Sequence, residues 1–273
     1  MYDSIGGKYW ITLFNSEGLR VECGLLVPTP CKTKNKSNAQ KIITTAHKKY
    51  PAIILLGGKT TGKYAIDYAM DLDSIIIFAL DYPYEPRQVY TFWTILYDIP
   101  VIRSALINMV PSTMLAIDYL INRSDVDSTK IVLLGYSFGA PFVPVLSTLD
   151  RRIDVATMVY GGGDLTSLIR HNVRRYEGVF LSEFVGQVGG LFLRPIEPMR
   201  YAEKISPTPL FMINGTDDEQ VPRRNTDIFF REAKEPKKIV WLESKHVHPK
   251  NQDLTRRIIA SLKQQLKDLK VLD

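Results

Sequence analysis

Six short runs in the 273-residue chain are apolar almost throughout rather than alternating with polar positions: AIILLGG (52–58), SIIIFALDYP (74–83), KIVLLG (130–135), VATMVYGGG (155–163), PLFMING (209–215) and KIVWLES (238–244). A strand with one wet face alternates; a run that is apolar on both sides of the pleat predicts a strand buried on both faces. Between these runs the spacing shifts toward 3.6 residues and predicts helices over 101–123, 138–149, 222–233 and 251–268. The last has a clear stripe, Leu254, Ile258, Ile259, Leu262 and Leu266, for docking on a sheet. Pro111–Ser112 predicts a break or restart within 101–123, because proline removes a helix donor and clashes with the preceding turn. Strands alternating with helices predict an α/β fold with a mostly parallel central sheet flanked by helices.

Three regions depart from this rhythm. Residues 8–15 and 19–27 are rich in β-formers and flank the turn sequence NSEG, which predicts an N-terminal antiparallel hairpin at the sheet edge. Residues 28–50 are lysine-rich and weakly patterned, a loop with some helical character near 38–49. Residues 164–205 separate the fourth and fifth runs by about forty positions and carry Tyr176, Phe180, Leu181, Phe184, Val185 and Leu191. A structureless loop that long is uncommon inside a compact domain, so the segment is expected to be a small helical cap inserted into a single domain spanning 1–273.

Composition narrows the picture only a little. A hydrophobic fraction of 45% is that of an ordinary globular chain. The net charge is +6, and no acidic residue occurs between Glu22 and Asp67, where eight lysines lie. These do not interleave with aromatics in a nucleic-acid pattern, so a solvated basic face is expected and no nucleic-acid partner. Cys23 and Cys31 have no metal-binding spacing and are expected to be free thiols, which suits a reducing, cytoplasmic setting. The longest uncharged stretch of the apolar zone, Ser104 to Ile117, falls short of the roughly 20 residues a bilayer span needs, so no membrane span is expected. No signal peptide is evident at the N-terminus.

The chemistry concentrates where the third run stops, at Gly135–Tyr136–Ser137–Phe138–Gly139. A serine between two glycines, after an apolar run and before a helix, predicts a strained corner that lifts its hydroxyl above the carboxyl ends of the sheet. Serine needs a base to become a nucleophile. Of the four histidines, His47 precedes the first core strand and His171 lies in the expected cap, whereas His246 and His248 follow the last strand at the same end as Ser137. Either of these two can serve as base. An orienting carboxylate is offered by Asp217, Asp218 or Glu219, which follow the fifth run. Gly57–Gly58 allow close approach of the backbone, so the amides of Lys59 and Phe138 are candidates for an oxyanion hole.

With these residues in view, the chain resembles the α/β-hydrolase superfamily over about residues 50–268, and most closely its compact serine esterases and dienelactone-hydrolase-like proteins. The resemblance rests on GYSFGA, GTDDEQVP and KHVHP. The family's G-x-x-D-x-x-V-P pattern is met by Gly215, Asp218, Val221 and Pro222, and its x-H-x-x-P pattern by His246 and Pro249. The resemblance thus implies Ser137, Asp218 and His246 as a triad. It implies cleavage of a small carboxylic ester through an acyl-enzyme, with no metal or cofactor. Dienelactone hydrolases proper carry cysteine where this chain has Ser137, and Ser244–Lys245 stand where the family has small residues. Lys245 beside the base is expected to favour the neutral imidazole. Peptidases and thioesterases share this constellation, and a non-catalytic binding protein could share the fold. Tyr82, Tyr84, Trp93 and Phe180 are candidate pocket or packing residues.

Overall fold

A computed structural model describes residues 7–28, 48–58, 60–68, 72, 74–83, 92–248 and 250–272. Cys31, His47, Lys59, Tyr84, the side chain of Trp93, Pro249 and the helical character near 38–49 lie outside the described residues.

Among the described residues, eight strands form one sheet: β1 (Gly7–Phe14), β2 (Arg20–Val27), β3 (Tyr50–Leu56), β4 (Ile76–Leu80), β5 (Val126–Tyr136), β6 (Val155–Val159), β7 (Leu210–Gly215) and β8 (Lys237–Leu242). Their order across the sheet is β1-β2-β4-β3-β5-β6-β7-β8. The β1–β2 and β2–β4 pairs are antiparallel and every pair from β4 to β8 is parallel. The expected architecture is present, including the opening hairpin. Its turn is closed by Asn15, whose side-chain oxygen accepts from the Glu17 and Leu19 amides at 3.0 and 2.8 Å.

Two apolar layers explain why the core strands are apolar at every position. Ile54 and Leu56 of β3, Phe78 and Leu80 of β4, and Ile131 and Leu133 of β5 point into one layer. Their neighbours Ile53, Leu55, Ile77, Ala79, Val132 and Leu134 point into the other. The first layer is closed by helices α1 (Phe92–Ile121) and α2 (Phe142–Leu149). The second is flanked by a 3-10 turn (Gly62–Tyr68) and by α6 (Gln252–Asp268), whose expected stripe of Leu254, Ile258, Ile259, Leu262 and Leu266 is buried against it. Between β6 and β7 run α3 (Leu165–Arg174), α4 (Val179–Phe192) and three short 3-10 turns; α5 (Arg223–Glu232) links β7 to β8.

The expected break at Pro111 does not occur: α1 is continuous and contains both Pro100 and Pro111. An interior proline costs about 3 kcal/mol. Full burial of Met109, Ile117 and Leu120 on either side of it contributes about 1.5–3 kcal/mol each, which outweighs that cost. Thr113 also donates its hydroxyl to the Met109 carbonyl four residues back at 2.7 Å, a bond of the kind that accompanies bends in helices. Segment Tyr97–Ile121 is, by length and composition, apolar enough to cross a bilayer, a property hidden when only the uncharged run is counted. Its inner face is taken up by the first core layer, where Met109, Ala116, Ile117 and Leu120 are fully buried. Cys23 is a buried free thiol on β2, and burial pushes its pKa well up.

Candidate active site

The carboxyl ends of β5, β7 and β8 lie along one rim, and each leads into a loop carrying one polar side chain of interest. After β5 the chain turns within a single residue. Ser137 has φ +52, a left-handed backbone that costs a non-glycine residue on the order of 1–3 kcal/mol. The turn survives because the backbones around it pack too closely for alternatives. A Cβ at Gly135 would lie 2.5 Å from both the Gly139 carbonyl and Val143 Cγ2, and one at Gly139 would overlap the Leu56 carbonyl of β3. The expected helix over 138–149 begins as a 3-10 turn, Ser137–Gly139, and becomes α-helical from Phe142. The Phe138 amide therefore sits in a first helical turn, where N–H groups are left without carbonyl partners.

The loop after β7 brings in Asp218. Its Oδ1 accepts from the Gln220 and Val221 amides at 2.8 and 2.9 Å. The loop after β8 brings in His246, whose Nδ1 lies 2.8 and 2.9 Å from the two Asp218 oxygens. Its Nε2 lies 2.7 Å from Ser137 Oγ. The carboxylate can only accept, so Nδ1 carries the proton and donates it. In the neutral ring Nε2 is then the acceptor, and the serine hydroxyl donates to it. Only 2% of the Asp218 side chain and 5% of the His246 side chain are exposed, so little water competes for these bonds.

The alternative residues go elsewhere. Asp217 is exposed, and its carboxylate accepts from Thr216 Oγ1 at 2.9 Å. His248 is exposed, and its Nδ1 accepts from the Lys250 amide at 3.2 Å. His171, on α3, donates from Nε2 to the Glu219 carbonyl at 2.9 Å. Glu219 neither reaches the imidazole nor lies idle: its carboxylate accepts from the His246 backbone amide at 3.1 Å. Burial pushes the Glu219 carboxyl up, but hydrogen bonds from the His246 amide and its own amide, together with the Arg175 charge, outweigh it and hold the group below its ordinary value. Lys245 is exposed.

Two tyrosines join the site with weak signals in the chain. Tyr82, read from sequence as a packing or pocket residue, donates to the Gly57 carbonyl at 2.5 Å and meets the Phe138 ring edge-on at 5.1 Å. It ties the loop after β3 to the residue after Ser137, the two segments expected to supply oxyanion donors. Burial pushes its phenol far up, so it stays a proton donor. Tyr160, at φ +55 after β6, meets the His246 ring edge-on at 5.4 Å and contacts the Ser244 hydroxyl. No sequence motif announces Tyr160, because its partners lie 84 and more positions away.

Ser137 and His246 open onto a cavity of about 730 Å³ lined mostly by apolar side chains, among them Phe138, Phe142, Leu165, Ile169 and Val221. Among the described residues, no group of three or more His, Cys, Asp or Glu side chains is placed to hold a metal ion. A serine donating to a neutral imidazole that is anchored by a carboxylate is able to lose its proton to the ring as it attacks an electrophilic carbon.

Residues 103–253, more than half of the chain, match the dienelactone hydrolase family. The chain belongs to that family. The matched stretch contains all three converging side chains. Among curated relatives, the uncharacterized protein YfhR of Salmonella typhimurium is 26% identical over 136 residues, 49% of this chain and 46% of its own length. Its counterpart in Escherichia coli K12 is 25% identical over 141 residues, 51% of this chain and 46% of its own. The match thus spans about half the length of these curated relatives. Solved structures agree over nearly the whole fold. An α/β hydrolase from Penicillium, GrgF, superposes with a TM-score of 0.62 at 16% identity, covering 97% of this chain and 98% of its own. Acetyl xylan esterase 1 from Thermoanaerobacterium superposes at 0.66 and 15% identity, covering 96% and 85%. An esterase of Pyrococcus furiosus does so at 0.66 and 15%, covering 96% and 91%. These likenesses show the α/β-hydrolase fold.

Proposed function

We propose that the protein is a serine hydrolase of carboxylic esters, acting through an acyl-enzyme with Ser137 as nucleophile, His246 as base and Asp218 as its orienting acid. The observation that carries the reading is the unbroken relay from Ser137 Oγ to His246 Nε2 and from Nδ1 to the Asp218 carboxylate, begun at a serine held at positive φ.

In this reading His246 takes the serine proton as Oγ attacks the acyl carbon. The developing oxyanion faces the Phe138 amide, with the loop of Gly57–Gly58 and Lys59 supplying the second donor. Asp218 stabilises the imidazolium, which returns its proton to the departing alcohol. Water then repeats the attack with the same base and releases the acid, and no outside reagent is consumed. Two of the structural neighbours are esterases, which supports an ester substrate.

The test is steady-state turnover of p-nitrophenyl acetate together with labelling by a fluorophosphonate. Ser137→Ala should lose turnover by a factor on the order of 10⁶ and lose labelling altogether. A Ser137→Ala protein that keeps wild-type turnover defeats the mechanism. Short peptides and acyl thioesters offered beside simple esters measure which acyl derivative the site prefers.

A further inference from the structure

The cavity that meets Ser137 is not confined to the side of the sheet covered by α1 and α2. It continues over the rim onto the opposite face. There its floor is Leu55 of β3 and Leu134 of β5, which are paired across the sheet and each 5% exposed. One wall is the 3-10 turn through Ala65 and Tyr68; the other is α6 through Ile258, Ile259 and Leu262. The reason for the opening lies in the element after β3. A 3-10 turn of seven residues stands there, packed toward β2 and β4, as its Lys63 carbonyl and Ile66 side chain against Gly24 show. Among the described residues, the strip of β3 and β5 between that turn and α6 forms a groove. Strand alternation places Val132, Leu134 and Tyr136 on this face, so the groove begins directly beneath the residue preceding Ser137.

We infer that this groove receives a long unbranched alkyl chain carried by the ester substrate, lying along α6 while the ester group sits at Ser137. The inference rests on the hydrolase reading above and names the substrate class for that site. Three features select this occupant. The floor and facing walls are aliphatic or aromatic apart from Thr255, whose hydroxyl already donates to the Asn251 carbonyl at 3.0 Å, so they offer an occupant burial rather than hydrogen bonds. The lining runs along α6 from Thr255 to Leu262, about 10 Å at 1.5 Å per residue, which suits an extended chain better than a compact acid. The whole cavity, including the part on the side of α1 and α3, measures about 730 Å³, within the range of sites that hold ligands far larger than an acetyl group. The chain belongs either to the acyl group or to the alcohol; the chemistry that recognises it is the same.

The experiment compares kcat/KM along two ester series below their micellar concentrations. One runs from p-nitrophenyl acetate to p-nitrophenyl decanoate, the other from ethyl acetate to decyl acetate. One series should rise about fourfold per added methylene until the groove is filled. The series that rises identifies the half of the ester lying in the groove. Ile258→Trp and, as a gentler variant, Leu262→Phe should each lower the long-to-short ratio of that series at least tenfold. Two flat or falling series, or a ratio untouched by both substitutions, overturn the inference. A fluorescent fatty acid titrated onto wild type and Ile258→Trp gives a readout independent of turnover. Binding to wild type that Ile258→Trp weakens, without turnover of any ester, supports the groove and defeats the esterase reading. Turnover of short esters with neither chain-length gain nor fatty-acid binding defeats the groove and leaves the esterase reading standing.

Discussion

The corner at Ser137 and the loop that carries Asp218 hold their functional groups by different forces. At the corner the restraint is steric. Gly135, Gly139 and the Leu56 carbonyl are in such close contact that one added carbon has nowhere to go. Repulsion of this kind is steep with distance and indifferent to pH. In the Asp218 loop the restraint is a set of hydrogen bonds. The Gln220 and Val221 amides hold the carboxylate, while His171 and Asn172 of α3 hold the Glu219 and Gln220 carbonyls at 2.9 and 2.8 Å. Glu219 in turn accepts from the His246 amide. Each such bond contributes about 1 kcal/mol, and those made by an ionisable group vary with pH. The nucleophile is thus fixed by a contact that either fits or fails, whereas acid and base are fixed by several small, adjustable terms.

The largest expected effect separates chemistry from scaffold within the hydrogen-bonded loop. Asp218→Asn should lower kcat by about 10⁴, since an amide favours the wrong imidazole tautomer, while Asp217→Asn leaves kcat near wild type. A comparable loss from Asp217→Asn would show that the loop holds the other carboxylate against His246. Next comes the steric corner. At a helical position that glycine does not need, Gly→Ala gains up to about 1 kcal/mol. Gly139→Ala should instead destabilise by about 3 kcal/mol in urea unfolding, the cost of overpacking against the Leu56 carbonyl. A neutral or stabilising result would mean that the corner yields and the contrast fails.

The smallest effect tests the adjustable terms. The Glu219 carboxyl lies below its ordinary value when folded, so its contribution is fully present above the ordinary carboxylate pKa of about 4.3 and is lost as pH falls through the lower folded value. The melting-temperature advantage of wild type over Glu219→Gln should therefore be constant near neutrality and shrink toward zero in acid. Because the side chain is 43% exposed, the advantage itself should be small. An advantage that does not change with pH would show that the charge plays no part in holding the His246 amide.

Legibility in the sequence follows the same division. The glycine–serine corner could be read directly, because its contacts involve neighbours in the chain and a strand end that apolar patterning already marks. The hairpin, the six core strands and the α6 stripe were legible for the same reason, periodicity being a local property. Asp218 and His246 were narrowed to small groups of neighbours by residue type and position, and only the family pattern preferred one of each. Choosing by geometry requires knowing which oxygen meets which ring nitrogen. The Pro111 break was misread because a local rule met burial on both sides of it. Tyr82 was visible as an aromatic but not as a clamp on Gly57, and Tyr160 was not visible at all, because what gives each its place is a partner from a distant strand end.

The order of apolar runs and the strained turn between two glycines were settled by the sequence itself, since strand patterning and backbone sterics act between near neighbours. Tertiary structure alone decided which of several carboxylates and imidazoles meet at the rim. It also decided that a short turn beside α6 leaves an apolar groove open beneath the serine. Both depend on how strand ends and helices far apart in the chain come to lie side by side, and no local pattern encodes that distance.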